Sequence, residues 1–299
     1  MRPTLSLFAL FLAACERRQA DVPRPPITVF AAASLARPLA TVRDSFRAHS
    51  AIPSLVELGG SMDQVRKITD LGRVPDVLLL VDDDITAPLI PAHLDWYVRY
   101  ATNRLVVAYT AKSRFADSIN TGNWWRVLTR RDVTVGRADP DVAPVGKHAL
   151  AMLRRAGTYY SQAGLSDRLV EHASLRFVRP NAAELAALLE TGEVDYIIDY
   201  ASVASQYGFS YVSVPDDLAP PVLYTASVPR GAPHFSEGIE FVTYYLTDDA
   251  KRLLRDAHVD VLPVPVAVGS VIPPEISRLV RTVSVAPPSS AVAVARAGR

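Results

Sequence analysis

Four helix starts in this chain are built from small residues, and together they are suited to holding an anion. The apolar run Ile27-Thr28-Val29-Phe30 passes through Ala31-Ala32-Ala33 into Ser34, where a helical pattern opens. Gly59-Gly60-Ser61, Pro144-Val145-Gly146 and Asn181-Ala182-Ala183 repeat the device. A helix N-terminus leaves backbone N–H groups without partners and carries roughly half a positive charge, so several aimed at one point bind an anion without a cationic side chain. Ser34 and Ser61 would add hydroxyl donors, although a serine at such a position also serves as an ordinary helix cap. Val145 and Ala182 would act only through their main-chain N–H groups, and spacing alone does not single them out. Tyr200, at the end of the apolar run Tyr196–Asp199, would bring a neutral phenol donor, or else be a half-buried aromatic whose hydroxyl meets water.

Other chemistries have less support. The six histidines, at 49, 93, 148, 172, 234 and 258, form no His-x-x-x-His pair, which argues against a zinc site. Asp82-Asp83-Asp84 reads as a solvated loop and helix cap, with a divalent-cation site as the alternative. No Gly-x-Ser-x-Gly elbow and no Gly-x-x-x-x-Gly-Lys loop occurs, so neither hydrolase nor nucleotide chemistry has a foothold. The Arg-Arg pairs at 130–131 and 154–155 read as solvated faces or transporter contacts.

The elements that must position these residues alternate. Strands are expected at Ile27–Phe30, Ser54–Leu58 and Asp76–Val81, with helices at Ser34–Ala48, Ser61–Leu71 and about Ile85–Pro91. A second set has strands Arg104–Tyr109, Val133–Gly136 and Tyr196–Asp199, with helices near Trp124–Thr129, Gly146–Ala163 and Ala182–Glu190. A strand at Val222–Val228 and helices Glu237–Leu246 and Ala250–Ala257 complete the pattern. Such alternation predicts an α/β protein of two lobes, each a sheet flanked by helices. With 299 residues, 49% of them hydrophobic and 21% charged, the chain is long enough for both cores.

Residues 1–14 combine Arg2 with an apolar run from Leu5 to Leu12, too short to span a bilayer. They read as a signal peptide, and Leu12-Ala13-Ala14-Cys15 resembles the box of bacterial lipoproteins, which implies lipidation at Cys15. An ordinary secretory signal with an incidental cysteine is the alternative. Cys15 is the only cysteine, so the folded part has no thiol for a disulfide, metal or nucleophile. Residues 15–26 form a polar tether, and 282–299 a Pro-, Ser- and Ala-rich tail expected to be mobile. The formal net charge of +1 falls to zero when Arg2 leaves with the signal, giving no reason to expect nucleic acid as a partner.

Phe30-Ala31-Ala32-Ala33-Ser34-Leu35 resembles the opening of bacterial molybdate-binding proteins. The stretch from Asp95 to Thr110, Asn123-Trp124-Trp125 and Ser202-Val203-Ala204-Ser205-Gln206-Tyr207-Gly208 resemble the tungstate-binding branch. Over about residues 27–281 the chain is therefore similar to the periplasmic molybdate- and tungstate-binding proteins of ABC importers. That resemblance implies a type 2 periplasmic-binding fold with a two-crossing hinge, lobe one at 27–103 plus 226–281 and lobe two at 104–225. It implies that Ser34 and Ser61 donate hydroxyl and neighbouring N–H groups to the oxyanion, that Val145 and Ala182 donate main-chain N–H groups, and that Tyr200 closes over the ion from lobe two. Asp199 stands where the tungstate branch usually has a glutamate able to reach the metal, and Ala143 where it has a second carboxylate. One candidate ligand is thus missing and the other is a methylene shorter, so binding through hydrogen bonds is expected to dominate, with Asp199 tuning the site.

The implied protein is a monomeric, non-enzymatic solute-binding component with no cofactor and with molybdate or tungstate as ligand. Its partners would be an ABC permease with its ATPase, and its place the periplasm or cell surface, held by a lipid anchor. Alternatives are a binding protein for sulfate or phosphate, or a sensor or enzyme on the same fold.

Overall fold

The computed structural model describes residues 24–173 and 177–283. The signal segment, Cys15 and most of the expected tether and tail lie outside the described residues. Two sheets organise the chain. The first is built from β1 (Ile27–Ala32), β2 (Ser54–Gly59), β3 (Val77–Val81), β4 (Trp96–Asn103), β10 (Val222–Ser227), β11 (Asp260–Gly269) and β12 (Arg281–Val283), in the order β12, β11, β4, β10, β3, β1, β2. The second holds β5 (Leu105–Tyr109), β6 (Val135–Ala138), β7 (Val178–Arg179), β8 (Tyr196–Tyr200) and β9 (Ser210–Ser213), in the order β7, β6, β8, β5, β9. The chain crosses between them at Arg104 and again between β9 and β10. All of β10 pairs within the first sheet, so the return falls ahead of Val222 and not at the 226 expected from sequence.

The helices that matter for the site are α1 (Ala36–Ser50), α2 (Ser61–Thr69), the short α3 (Asp83–Thr86), α4 (Trp124–Leu128), α5 (Pro144–Tyr159), α6 (Leu165–His172), α7 (Ala182–Thr191) and α8 (Ala201–Gln206). After β10 come α9 (Phe235–Tyr245), α10 (Asp248–Asp256) and the short α11 (Pro274–Ser277). Helix α1 buries Leu39, Val42 and Phe46 at helical spacing, and Phe46 meets Phe241 of α9 edge to face at 4.9 Å. Its end is set by Ala51 in the left-handed region, φ 60°, whose N–H returns to Arg47. On the other face of the sheet, Phe30, Leu78 and Leu80 pack with Ile68 of α2. Strand β3, Val-Leu-Leu-Leu-Val, is buried on both faces and so shows no alternation.

Several elements have no counterpart in the sequence pattern, among them β4, β11 and α6. Strand β4 was not expected as a strand of the first sheet, although it pairs with both β10 and β11. Strand β11 contains Pro263 and Pro265, which cannot donate to a ladder; its pairing with β4 skips from Val261 to Val266, and a bulge absorbs them. The long helix expected at Gly146–Ala163 is α5, which stops at Tyr159, and a separate helix, α6, begins after Gly164 at φ 68°.

Candidate functional site

Adjacent strand ends bring the two serines together. Strands β1 and β2 run parallel with Ala32 opposite Gly59, so both chains leave the sheet at the same level and turn into helices side by side. Ser34 lies in the single 3-10 turn Ala33–Leu35 that leads into α1, and Ser61 is the first residue of α2 after Gly60. Neither serine caps its helix through its side chain. The ordinary structural role open to them in the sequence is therefore not the one they play. Ser61 Oγ instead accepts the Val81 N–H at 3.1 Å, and Ser34 Oγ accepts from the Tyr224 hydroxyl at 3.3 Å. Gln64, fully buried, ties the same corner by donating to the Ala31 and Glu57 carbonyls at 3.2 and 3.0 Å.

The second sheet presents the same device from across the cleft. Strands β7, β6 and β8 are parallel neighbours, and α5, α7 and Tyr200 lie after β6, β7 and at the end of β8. Val145 is the second residue of α5, behind Pro144, and Ala182 is the first of α7, where Asn181 Oδ1 accepts the Glu184 N–H at 3.0 Å. Both leading N–H groups thus lack acceptors within their helices. Gly146 is required because a Cβ there would lie 2.4 Å from the Ala138 carbonyl, where α5 rests on β6.

Ser34, Ser61, Val145, Ala182 and Tyr200 all line one cavity between the sheets, together with Gly60, Val81, Ala143 and Asn181. Its volume is about 20 Å³, against ~10–15 Å³ for a single water, the scale of one compact ion. None of its described lining residues carries a charge. Tyr200 is 2% exposed and its hydroxyl is buried without a partner. Burial, reinforced by Tyr224, Asp82 and Asp199, pushes its phenol well above the usual range, so it is a neutral donor.

Asp199 stands apart from these five. It does not line the cavity, because neighbours on a strand face opposite ways and Tyr200 takes the inward position. Its Oδ1 accepts the Tyr200 N–H at 2.7 Å, while Oδ2 is buried with no partner. Burial raises its pKa well above the ordinary carboxylate value, outweighing the Tyr200 N–H, which holds it down. A protonated Asp199 does not repel an anion nearby.

The two lobes are closed. A Cβ on Gly60 would stand 2.1 Å from the Val142 carbonyl of the opposite lobe. His148 of α5 reaches Asp82 at the end of β3, Nε2 to Oδ2, at 2.9 Å. Gln206 of α8 donates to the Ser34 carbonyl at 3.4 Å, and Arg37 of α1 covers the Tyr207 ring at 3.9 Å and donates to the Gln206 carbonyl. Sequence reasoning missed His148, Asn103 and Tyr224, whose partners are distant in the chain. The acidic run is mostly committed internally: Asp82 pairs with His148 and accepts the Asp84 N–H, and Asp83 pairs with Arg99 at 2.5 Å.

Two α/β lobes around a cleft are an arrangement shared with known proteins. Residues 27–259 match the family model described as bacterial extracellular solute-binding protein. An uncharacterized solute-binding protein of Petrotoga mobilis is 31% identical over 77% of this chain and 82% of its own. The molybdate/tungstate-binding protein WtpA of Pyrococcus abyssi is 29% identical over 85% of this chain and 89% of its own. Among solved structures, the periplasmic molybdate-binding protein of Azotobacter vinelandii aligns at TM-score 0.64 and 17% identity, over 79% of this chain and 99% of that one. The sulfate-binding protein SubI of Mycobacterium tuberculosis aligns equally well, at TM-score 0.64 and 17% identity, over 80% and 88%. At that identity the solved structures establish the two-lobed periplasmic-binding fold. Matched over most of its folded length, the chain belongs to the bacterial extracellular solute-binding protein family.

Proposed function

We propose that this protein captures molybdate or tungstate between its lobes and delivers the ion to an ABC permease, with no catalytic step. The observation that carries the reading is the convergence of Ser34, Ser61, Val145, Ala182 and Tyr200 on one ion-sized cavity without a charged side chain. Each charge-assisted bond to the ion contributes roughly 1.5–3 kcal/mol net. A handful offsets the lost freedom of the ion and the work of closure, which is enough for sub-micromolar affinity. The likeness to WtpA supports the choice of ion.

Selectivity follows from fixed donors. A cavity closed around a large tetrahedral dianion leaves the smaller sulfate with stretched bonds and unmet donors. Molybdate and tungstate are nearly equal in size and are not separated by this means. With Ala143 lining the cavity and Asp199 facing away, hydrogen bonds to oxygen dominate over carboxylate contact with the metal. The lipid anchor at Cys15 and the monomeric state belong to the same proposal.

The test is a thermal-shift panel on the purified protein with molybdate, tungstate, sulfate, phosphate and chromate, since a ligand that binds only the folded form raises its apparent stability. Molybdate and tungstate are expected to give the large shifts. A response to sulfate alone would replace the ion in this reading, and no response to any of the five would end it.

A further inference from the structure

Ser34 is held by a buried relay that begins at the hinge. Asn103 ends β4 at the outward crossing, and Tyr224 sits in β10 just after the return. Asn103 Oδ1 accepts the Arg104 N–H at 2.9 Å, which turns its amide nitrogen toward the interior. That nitrogen donates to the Tyr224 hydroxyl at 2.8 Å and to Ser202 Oγ at 2.7 Å. With its oxygen receiving Asn103, the Tyr224 phenol places its own proton on Ser34 Oγ, 3.3 Å away. Ser202 Oγ, at 3.4 Å, is the other acceptor within reach.

A hydroxyl whose oxygen already accepts a proton turns its own proton elsewhere. For Ser34, which lines the cavity, that direction is the ligand. Ser61 is set the same way by the Val81 N–H, so with one lone pair already taken each serine turns its hydrogen toward whatever enters. We infer that Tyr224, which does not line the cavity, is a positioning residue that fixes Ser34 as a donor and thereby favours fully deprotonated oxyanions over those that keep a proton. An anion bearing a proton needs an acceptor, and a serine held as donor answers it poorly. This inference rests on the oxyanion reading above.

Titration calorimetry on the full chain, with tungstate and arsenate at a pH where arsenate keeps one proton and tungstate none, tests it. Tyr224→Phe is expected to lower tungstate affinity about five- to tenfold, the scale of one net hydrogen bond, while arsenate loses less, so the tungstate-to-arsenate ratio narrows. Asn103→Ala frees the phenol proton to swing toward Ser202 and is expected to narrow the ratio in the same direction. Ser202→Ala leaves Ser34 as the remaining acceptor and is expected to keep the ratio. A merely structural role would weaken both anions together. An unchanged ratio in Tyr224→Phe and Asn103→Ala, or an equal narrowing in Ser202→Ala, overturns the inference. If Tyr224→Phe does not fold, the other two variants decide it by the same comparison. Failure of the wild type to bind tungstate removes the proposed function itself, a result distinct from an unaltered ratio in a protein that binds.

Discussion

The imidazole of His148 and the carboxylate of Asp82 meet across the cleft at 2.9 Å, joining the helix that carries Val145 to the strand end that carries Val81. Asp82 is 3% exposed, so closure takes its charge out of water only because a partner arrives from the other lobe. His148→Ala is expected to leave the fold intact and to weaken oxyanion binding by about 1–2 kcal/mol, since closure would then bury an unpaired carboxylate. Calorimetry on wild type and variant checks this.

The same pair sets a pH dependence. Burial works against the Asp82 charge, but the hydrogen bond and charge of His148, the Asp84 N–H and Lys147 together outweigh it, so the pKa lies below the ordinary aspartate value. A depressed carboxylate stabilises above its unfolded pKa and loses that contribution as pH falls through its folded one. The difference in melting temperature between wild type and Asp82→Asn is therefore expected to shrink in acid below the ordinary aspartate range.

Gly60 is needed for closure, not for its own lobe. Its backbone, at φ −63° and ψ 141°, suits any residue, while a Cβ would meet the Val142 carbonyl at 2.1 Å. Gly60→Ala is expected to change the stability of the ligand-free protein by less than about 0.5 kcal/mol and to abolish most of the ligand-induced thermal shift. Small-angle scattering should show that the variant stays open when the anion is added.

The two serines should separate by their second effects. Ser34→Ala is expected to cost about 1.5–3 kcal/mol of binding with no lost cap, because Ser34 makes none. Ser61→Ala should cost similar affinity and also about 1–2 kcal/mol of fold stability, since it removes the acceptor of the buried Val81 N–H. Calorimetry and denaturant unfolding on both variants measure the two quantities separately.

Asp199 carries the opposite sign from Asp82. Its pKa is raised by burial, so ionising it costs stability as pH rises above the unfolded value, and below that value it costs nothing. Asp199→Asn is expected to grow more stable relative to wild type as pH rises, which melting curves across the pH range would display. X-ray absorption of the tungstate complex is expected to report four-coordinate metal in both proteins.

Local signals made much of this protein legible. The apolar strands, the small residues at their ends and the helical patterns that follow lie within a few residues of one another, so Ser34, Ser61 and the two-sheet alternation are written along the chain. Strands β4 and β11 were not, because pairing and a bulge across the sheet decide them, against the prolines of β11. The capping role open to the serines in the sequence is not taken up for a related reason: a cap is a local contact, whereas Val81 and Tyr224 reach these oxygens from other strands.

By itself the sequence determined which segments are strands that end in small residues and open into helices, since that depends on side-chain pattern and backbone geometry nearby. Only the tertiary structure decided that four such ends face a single cavity, that Asp199 turns away from it, and that Asp82 meets His148. Each of those depends on strand register and on lobe closure, which bring together groups tens of residues apart and which no local pattern encodes.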